Sequence, residues 1–297
     1  MDRKQKRVLV TGATGFTGSY AVPMLLEANW EVVCFVRPSS NLQFLPKDRV
    51  SFIEGCLENP NSLTKALEGC DAIVNIASLG FGHADGIVEA IEKSEVKRAV
   101  FVSTTALLTK LNAPSKVVRK AAEERIGESS LSYTILRPTM IYGSGRDRNI
   151  CRLVRYLSRF PVLPVFGSGR FLLQPIYVGD VAQAIVKSLS ESAACGKTYN
   201  VSGGSELTYN DLVDTVASSL GRGVWKLHLP HKVMIGMLKL SEKVISLPIK
   251  AEQIQRLNEH KNFSFEEAQR DFGYSPRSFQ EGIQSELKEM GMIPEEE

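Results

Sequence analysis

Three glycines at intervals of three, Gly12, Gly15 and Gly18, stand in the stretch TGATGFTG. Glycines at that spacing suit a turn tight enough to present backbone N–H groups to an anion. Gly12 permits the turn, Gly15 lets the backbone approach a pyrophosphate, and Gly18 lets a following helix sit close to a sheet. The N-terminus of such a helix adds unpaired donors and the positive end of its dipole. Further along comes Arg37-Pro38-Ser39-Ser40, with no acid before Asp48. At a dinucleotide site, an acid at the end of the second strand binds the ribose 2′-hydroxyl, whereas an arginine accommodates a 2′-phosphate. The permanently charged fork of Arg37 and the hydroxyls of Ser39 and Ser40 therefore predict NADP(H) as the preferred cofactor, with NAD(H) as the alternative. Two more groups have proton chemistry within reach. Lys116 and Lys120 are one helical turn apart and share a face, which suits one cofactor contact and one solvated lysine, or one proton carrier. His83 ends the glycine-rich loop Leu79-Gly80-Phe81-Gly82-His83, which should overhang the same site, and imidazole is suited to passing protons near neutral pH.

The elements that must position these residues show as alternation. Arg7 to Thr11 is a continuous apolar run, as expected of a strand buried on both faces. Further strands are predicted over 30–36, 50–54, 71–77, 98–103 and 132–136. Helices are predicted between them, over 19–28, 61–68, 87–94 and 115–126. Such alternation implies right-handed crossovers and a parallel sheet. The fold class is α/β: a Rossmann-type doubly wound parallel sheet with a smaller C-terminal substrate lobe. Residues 1–140 are assigned to the nucleotide-binding domain. Residues 141–297 are assigned to the smaller, mostly helical lobe, parts of which pack back on the first domain. In that second half the pattern predicts a basic amphipathic helix over 150–160, a short strand within 171–178, and a helix over 181–189 capped by Asp180. A strand over 197–201 and a helix over 207–220 follow. The apolar, methionine-bearing run Val233 to Leu247 is expected in the lobe core or along a hydrophobic substrate pocket.

Composition narrows the function. Of 297 residues, 43% are hydrophobic and 23% charged, which suits a globular chain with a buried core. The net charge is +3 and the basic residues are dispersed, which argues against nucleic acid as a partner. No apolar run reaches membrane-span length, and the first twenty residues lack the pattern of a signal peptide. The five cysteines (Cys34, Cys56, Cys70, Cys151, Cys195) form no CxxC pair, and the four histidines have no ligand spacing. These features predict a cytoplasmic protein with reduced thiols, no metal site, and a small-molecule substrate as its partner.

TGATGFTG, the strand ends VNIAS and VFVST, and the stretches LSYTILRPTMIYG, LQPIYVGDVAQAI and DFGYSPRSFQEGI resemble the extended and atypical short-chain dehydrogenase/reductase superfamily. Its NAD(P)-dependent nucleotide-sugar epimerase/dehydratase branch is the nearest group, and the resemblance covers nearly the whole chain. It implies that Gly12, Thr14, Gly15, Phe16, Thr17 and Gly18 surround the pyrophosphate. Arg37 then meets the adenosine phosphate, with Leu57 beside the adenine. Ala77, Ser78, Ser103 and Thr104 would line the cofactor, and Pro138, Thr139 and Met140 would lie near the nicotinamide. Cys56 stands where the family commonly has an acid for the adenine amino group.

The superfamily's proton chemistry uses a tyrosine and a lysine spaced YxxxK beside a serine or threonine, here Thr104 or Thr105. If Lys120 is the family lysine, the tyrosine position holds Lys116. If Lys116 is, that position holds Asn112. Neither is tyrosine. Tyr142 is expected to pack rather than replace it. The family's phosphate-holding arginine is also missing, its place reading Leu173-Gln174-Pro175, while Arg170, Arg146 and Arg148 lie nearby as anion holders or surface charge. The expected function is that of an NAD(P)-dependent oxidoreductase or epimerase/dehydratase-like enzyme. Its expected substrate is a sugar, nucleotide sugars included, or a similar hydroxyl/carbonyl compound. Thr104, Thr105, Lys116, Lys120 and His83 are its catalytic candidates. The alternative is a catalytically silent NADP(H)-binding redox sensor or scaffold.

Overall fold

Val8 and Val10 face one side of the first strand and Leu9 the other, and all three are fully buried. A sheet covered on both faces accounts for this. The computed structural model describes residues 5–109, 114–229 and 259–294. The first half contains β1 (Arg7–Thr11), β2 (Glu31–Val36), β3 (Ser51–Glu54), β4 (Ala72–Asn75), β5 (Arg98–Val102) and β6 (Tyr133–Pro138). The second half adds β7 (Ile141–Tyr142), β8 (Val162–Phe166), β9 (Leu172–Leu173), β10 (Ile176–Tyr177), β11 (Lys197–Val201), β12 (Leu207–Thr208) and β13 (Trp225–Leu229). The helices are α1 (Gly18–Glu27), α2 (Pro60–Ala66), α3 (Ala84–Glu92), α4 (Pro114–Gly127), α5 (Ile150–Leu157), α6 (Val178–Ser190), α7 (Tyr209–Ser219), α8 (Glu266–Phe272) and α9 (Phe279–Glu289).

One parallel sheet of seven strands organises the fold, in the order β11-β6-β5-β4-β1-β2-β3. From β1 the chain moves outward through β2 to β3, then returns to the other side of β1 as β4. Such a reversal opens a crevice at the carboxyl ends of the two central strands. One face of the sheet packs on α1 and α6, through Val22, Leu25, Val181 and Ile185. The other packs on α2, α3 and α4, through Leu63, Ile87, Ile91 and Ile126. A third cluster, including Tyr142, Leu153, Leu212 and Phe279, joins α5, α7 and α9 into a lobe over the crevice.

The second half also extends the sheet, since β11 pairs with β6 from Lys197↔Thr134 to Val201↔Pro138. Two of the departures from the sequence pattern shape the lobe. β8 pairs in parallel with β13, from Val162↔Trp225 to Phe166↔Leu229. Both strands are short, and β8 is interrupted by Pro164, so their periodicity is weak. Asp180 is not a helix cap, because α6 begins at Val178 with Tyr177 as its N-cap. The buried Asp180 carboxylate instead accepts from the Arg277 backbone N–H at 3.1 Å and from its Nε at 2.9 Å. The run Val233 to Leu247 lies outside the described residues. Among the described residues, no helix is long and apolar enough to cross a membrane, and no three His, Cys, Asp or Glu side chains gather as metal ligands.

Candidate active site

The glycine turn closes directly on the crevice. Gly12 has φ +70°, and a Cβ there would stand 2.6 Å from the Ala77 backbone nitrogen. The turn is thus pressed against the end of β4. A Cβ at Gly18 would stand 2.3 Å from the Gly12 carbonyl oxygen, so α1 starts too close for any side chain. Gly15 differs, because a Cβ there would meet only the Gly12 oxygen, at 3.1 Å. A side chain at Gly15 would fill the cradle that a pyrophosphate needs. Around it, Thr14 and Phe16 are half-buried and Thr17 is buried. The Phe16 ring meets Tyr20 edge-on.

Arg37 is exposed at the end of β2. Its backbone N–H donates to Ser40 Oγ at 3.1 Å, and Ser40 N–H donates back to the Arg37 carbonyl at 2.9 Å. Ser39, between them, is exposed. This turn leaves the Arg37 side chain exposed just past the carboxyl end of β2. Arg146 reaches the same region from the lobe. It donates to Ser19 Oγ at 2.8 Å and stacks 3.8 Å above the Phe44 ring. Leu57 and Cys56, just past β3, are half-buried.

The rotation of α4 decides which cation enters the crevice. Ala122, Glu123 and Ile126 are buried, so Arg119, a turn earlier on that face, also points inward, while Ser115 is exposed at the start of the helix. The Glu123 carboxylate accepts from Arg137 Nε at 3.1 and 3.0 Å, and also from Ser103 Oγ. This pairing ties the helix to the ends of β5 and β6. Removing one partner of such a buried pair costs about 3–5 kcal/mol. Lys120, about 100° further round the helix, is 73% exposed and pairs with Glu124 at 3.5 Å. The structure therefore does not bring Lys120 to the cleft. Arg119 goes there instead, donating from Nη2 to Ser78 Oγ at 3.2 Å. It lines a cleft of about 170 Å³ together with Thr17, Ser78 and Ser103. Its buried Nε has no hydrogen-bond partner. An orphaned guanidinium N–H beside a nucleotide cleft suits a ribose hydroxyl or a phosphate oxygen. In the YxxxK frame set by Arg119, the tyrosine position holds Ser115.

Arg119 also lines a cavity of about 860 Å³ between the sheet and the lobe. Thr104, Thr105, Lys116, Thr139 and Met140 line it too. Thr104 Oγ1 accepts from the Ala106 N–H at 3.2 Å, which leaves its own proton available. Thr105 is buried and donates to the Pro138 carbonyl at 3.2 Å. Lys116 Nζ donates to the Thr109 carbonyl at 2.6 Å. His83 lies at the start of α3 beside Phe81, outside the lining of both cavities. Tyr142 is buried in the lobe core against Tyr177 and Phe279. Gln174, where the family arginine is missing, is fully engaged: its amide donates to the Gly203 carbonyl at 2.9 Å and accepts from Phe263 N–H at 2.8 Å. Of the three nearby arginines, Arg148 lines the large cavity, whereas Arg170 lines a separate depression. Sequence reasoning missed Arg119, Ser115, Arg152 and Tyr209, all in the large cavity's wall. The helical phase of Ala122 and Ile126 was the signal that could have found Arg119.

Comparison with known proteins identifies the family and the fold. A family model described as NAD(P)H-binding matches residues 12–192. The chain is 26% identical to a 2-alkyl-3-oxoalkanoate reductase of Stenotrophomonas maltophilia, over 93% of this chain and 97% of that protein. It is 24% identical to the UDP-glucose 4-epimerase of Vibrio cholerae, over 95% of each. Its fold matches the UDP-glucuronic acid 4-epimerase of Bacillus cereus, solved with NAD, at a TM-score of 0.75 and 19% identity, over 95% of this chain and 98% of that one.

Proposed function

The chain belongs to the NAD(P)H-binding family within the extended short-chain dehydrogenase/reductase superfamily, and from that premise we propose that it is an NADP(H)-dependent oxidoreductase acting on a carbonyl or hydroxyl carbon in the large cavity. The observation that carries this reading is Arg119, which lines the nucleotide cleft and the large cavity alike. The two spaces meet where hydride would pass. The reductase and epimerase names of the relatives support the same class of chemistry. Gly12, Gly15 and Gly18 hold the pyrophosphate, Arg119 the ribose, and Arg37 with Ser39 and Ser40 the 2′-phosphate. Bound there, NADP(H) supplies or accepts the hydride. Thr104 orients the reacting oxygen, since its hydroxyl proton is uncommitted. Ser115 has no phenol to offer, and a guanidinium is a donor rather than a proton carrier. The proton for a reduced carbonyl oxygen therefore comes from water through Thr104.

One observation favours a second reading. A serine where the superfamily uses a tyrosine suits a silent NADP(H) binder that senses redox state. The test is incubation with NADPH or NADP⁺ and a panel of carbonyl, alcohol and nucleotide-sugar compounds, following cofactor absorbance and product identity. Turnover establishes the enzyme, and its absence across the panel favours the binder. Calorimetry tests the cofactor: NADPH should bind more tightly than NADH, and Arg37→Ala should narrow the gap by about tenfold or more, as for a lost charge-assisted hydrogen bond. Equal affinities in the unmutated protein would remove the NADP(H) assignment.

A further inference from the structure

Two arginines at the rim of the large cavity bear on the substrate class. Arg148 and Arg152 both line that cavity, four residues apart on the loop and first turn of α5. Both are exposed, so they stand at its rim. Neither has a hydrogen-bond or ion-pair partner among the described residues. Two like charges at one rim, with no described counter-charge paired to either, repel. Cations in a first turn also oppose the helix dipole, and no acid occupies the first turn of α5. Asp147, the acid just before it, is turned inward, where its buried carboxylate accepts the Asn149 and Cys151 N–H groups. The other charged groups in the wall each hold at least one partner. Lys116 and Arg119 have the bonds given above, and Glu259 and Lys261 have partners of their own. The arginine pair is thus an electrostatically unfavourable arrangement that a bound anion would relieve.

The wall also carries an apolar set, Leu107, Met140, Leu153, Leu173, Leu212 and Phe263, beside polar groups such as Gln174 and Tyr209. Sugar hydroxyls laid on the apolar set would go unpaired, whereas a hydrocarbon body fits it. We propose that the cavity takes an amphipathic anion: a carbonyl or hydroxyl group at Thr104, a hydrocarbon body along the apolar wall, and a carboxylate or phosphate held by Arg148 and Arg152. This deepens the function proposed above and rests on the large cavity being the substrate site.

Binding tests it independently of turnover. Protein saturated with NADP⁺ is titrated calorimetrically with decanoate, decyl phosphate, decanol, butanoate and UDP-glucose. Decanoate or decyl phosphate should bind, and whichever is tighter identifies the anion. Decanol and butanoate should each bind at least tenfold more weakly. Arg148→Gln and Arg152→Gln should each weaken binding of the anion about fivefold or more, and the double variant further, with NADP⁺ affinity unchanged. UDP-glucose binding in preference to both decyl anions, anion binding indifferent to both arginines, or no anion binding at all would overturn the proposal. Turnover without decyl-anion binding would sink this substrate class and spare the oxidoreductase. Anion binding without turnover would do the reverse.

Discussion

Arg119 on α4 donates to the hydroxyl of Ser78 just past β4, at 3.2 Å. The helix thereby reaches over the crevice between the central strands and sets a fixed positive charge there. A lysine at this place would be a mobile point charge, whereas the guanidinium is a planar fork of fixed geometry.

The first prediction follows from that contact. Arg119→Ala should weaken NADPH binding about tenfold to a hundredfold, the range for losing a charged hydrogen bond of about 1.5–3 kcal/mol. Arg119→Lys should recover part of it. Lys120→Ala removes only an exposed pair of the kind worth about 1 kcal/mol or less, and should leave binding nearly unchanged. Fluorescence titration of NADPH decides, and a larger loss from Lys120→Ala than from Arg119→Ala would restore Lys120 to the site.

Gly15 and Gly18 should fail in different ways. A side chain at Gly15 points into open cradle, so Gly15→Val should fold normally and lose both NADPH and NADH. A side chain at Gly18 would collide with the Gly12 and Ala13 backbone, so Gly18→Val should lower the melting temperature before cofactor is added. Retained binding by folded Gly15→Val would show that the pyrophosphate lies elsewhere.

The two threonines separate by their hydrogen bonds. Thr104→Val should reduce turnover roughly a hundredfold with cofactor affinity little changed, as for a donor removed where charge develops. Thr105→Val leaves the buried Pro138 carbonyl unpaired and should chiefly reduce stability, by about 1–3 kcal/mol. Steady-state kinetics and urea melts on both variants measure the split. Turnover intact in Thr104→Val would remove that hydroxyl from the mechanism.

A fourth prediction concerns pH. Glu286 on α9 is fully buried in the lobe. Burial, with the Asp147 carboxyl beside it, pushes its pKa from 4.5 up to about 10. A folded-state pKa above the unfolded one gives stability that is fully present below about 4.5 and is lost as pH rises from there through about 10. Glu286→Gln abolishes the titration. Its melting temperature should exceed that of the unmutated protein at pH 8.5 and match it near pH 4.5. Parallel curves at both pH values would mean that Glu286 is ionised in the folded state.

The sheet and the glycine turn were legible in the sequence because each rests on a local pattern: apolar runs of strand length, and glycines at positions that reject a Cβ. The site was legible only where it hangs on those patterns. Arg119 escaped notice because the YxxxK spacing was measured from lysines, whereas burial of Ala122, Glu123 and Ile126 sets the rotation of α4. Arg152 looked like one charge among several on a basic amphipathic helix. Only the fold shows that it shares a cavity wall with Arg148. His83 looked well placed because its loop follows β4, yet loop position does not determine side-chain direction.

The pairing of β11 with β6 has a consequence for synthesis. β6 ends at Pro138, and the strand that covers its edge does not begin until Lys197. At roughly 5–20 residues per second, the growing chain presents an unpaired strand edge for several seconds. The apolar face of α1 waits equally for α6, which packs beside it in one core. Open edges and uncovered helix faces recruit other chains. The nascent nucleotide-binding half is therefore at its most aggregation-prone just before the second half emerges. A fragment ending near residue 140 would be frozen in that state rather than released as a working module.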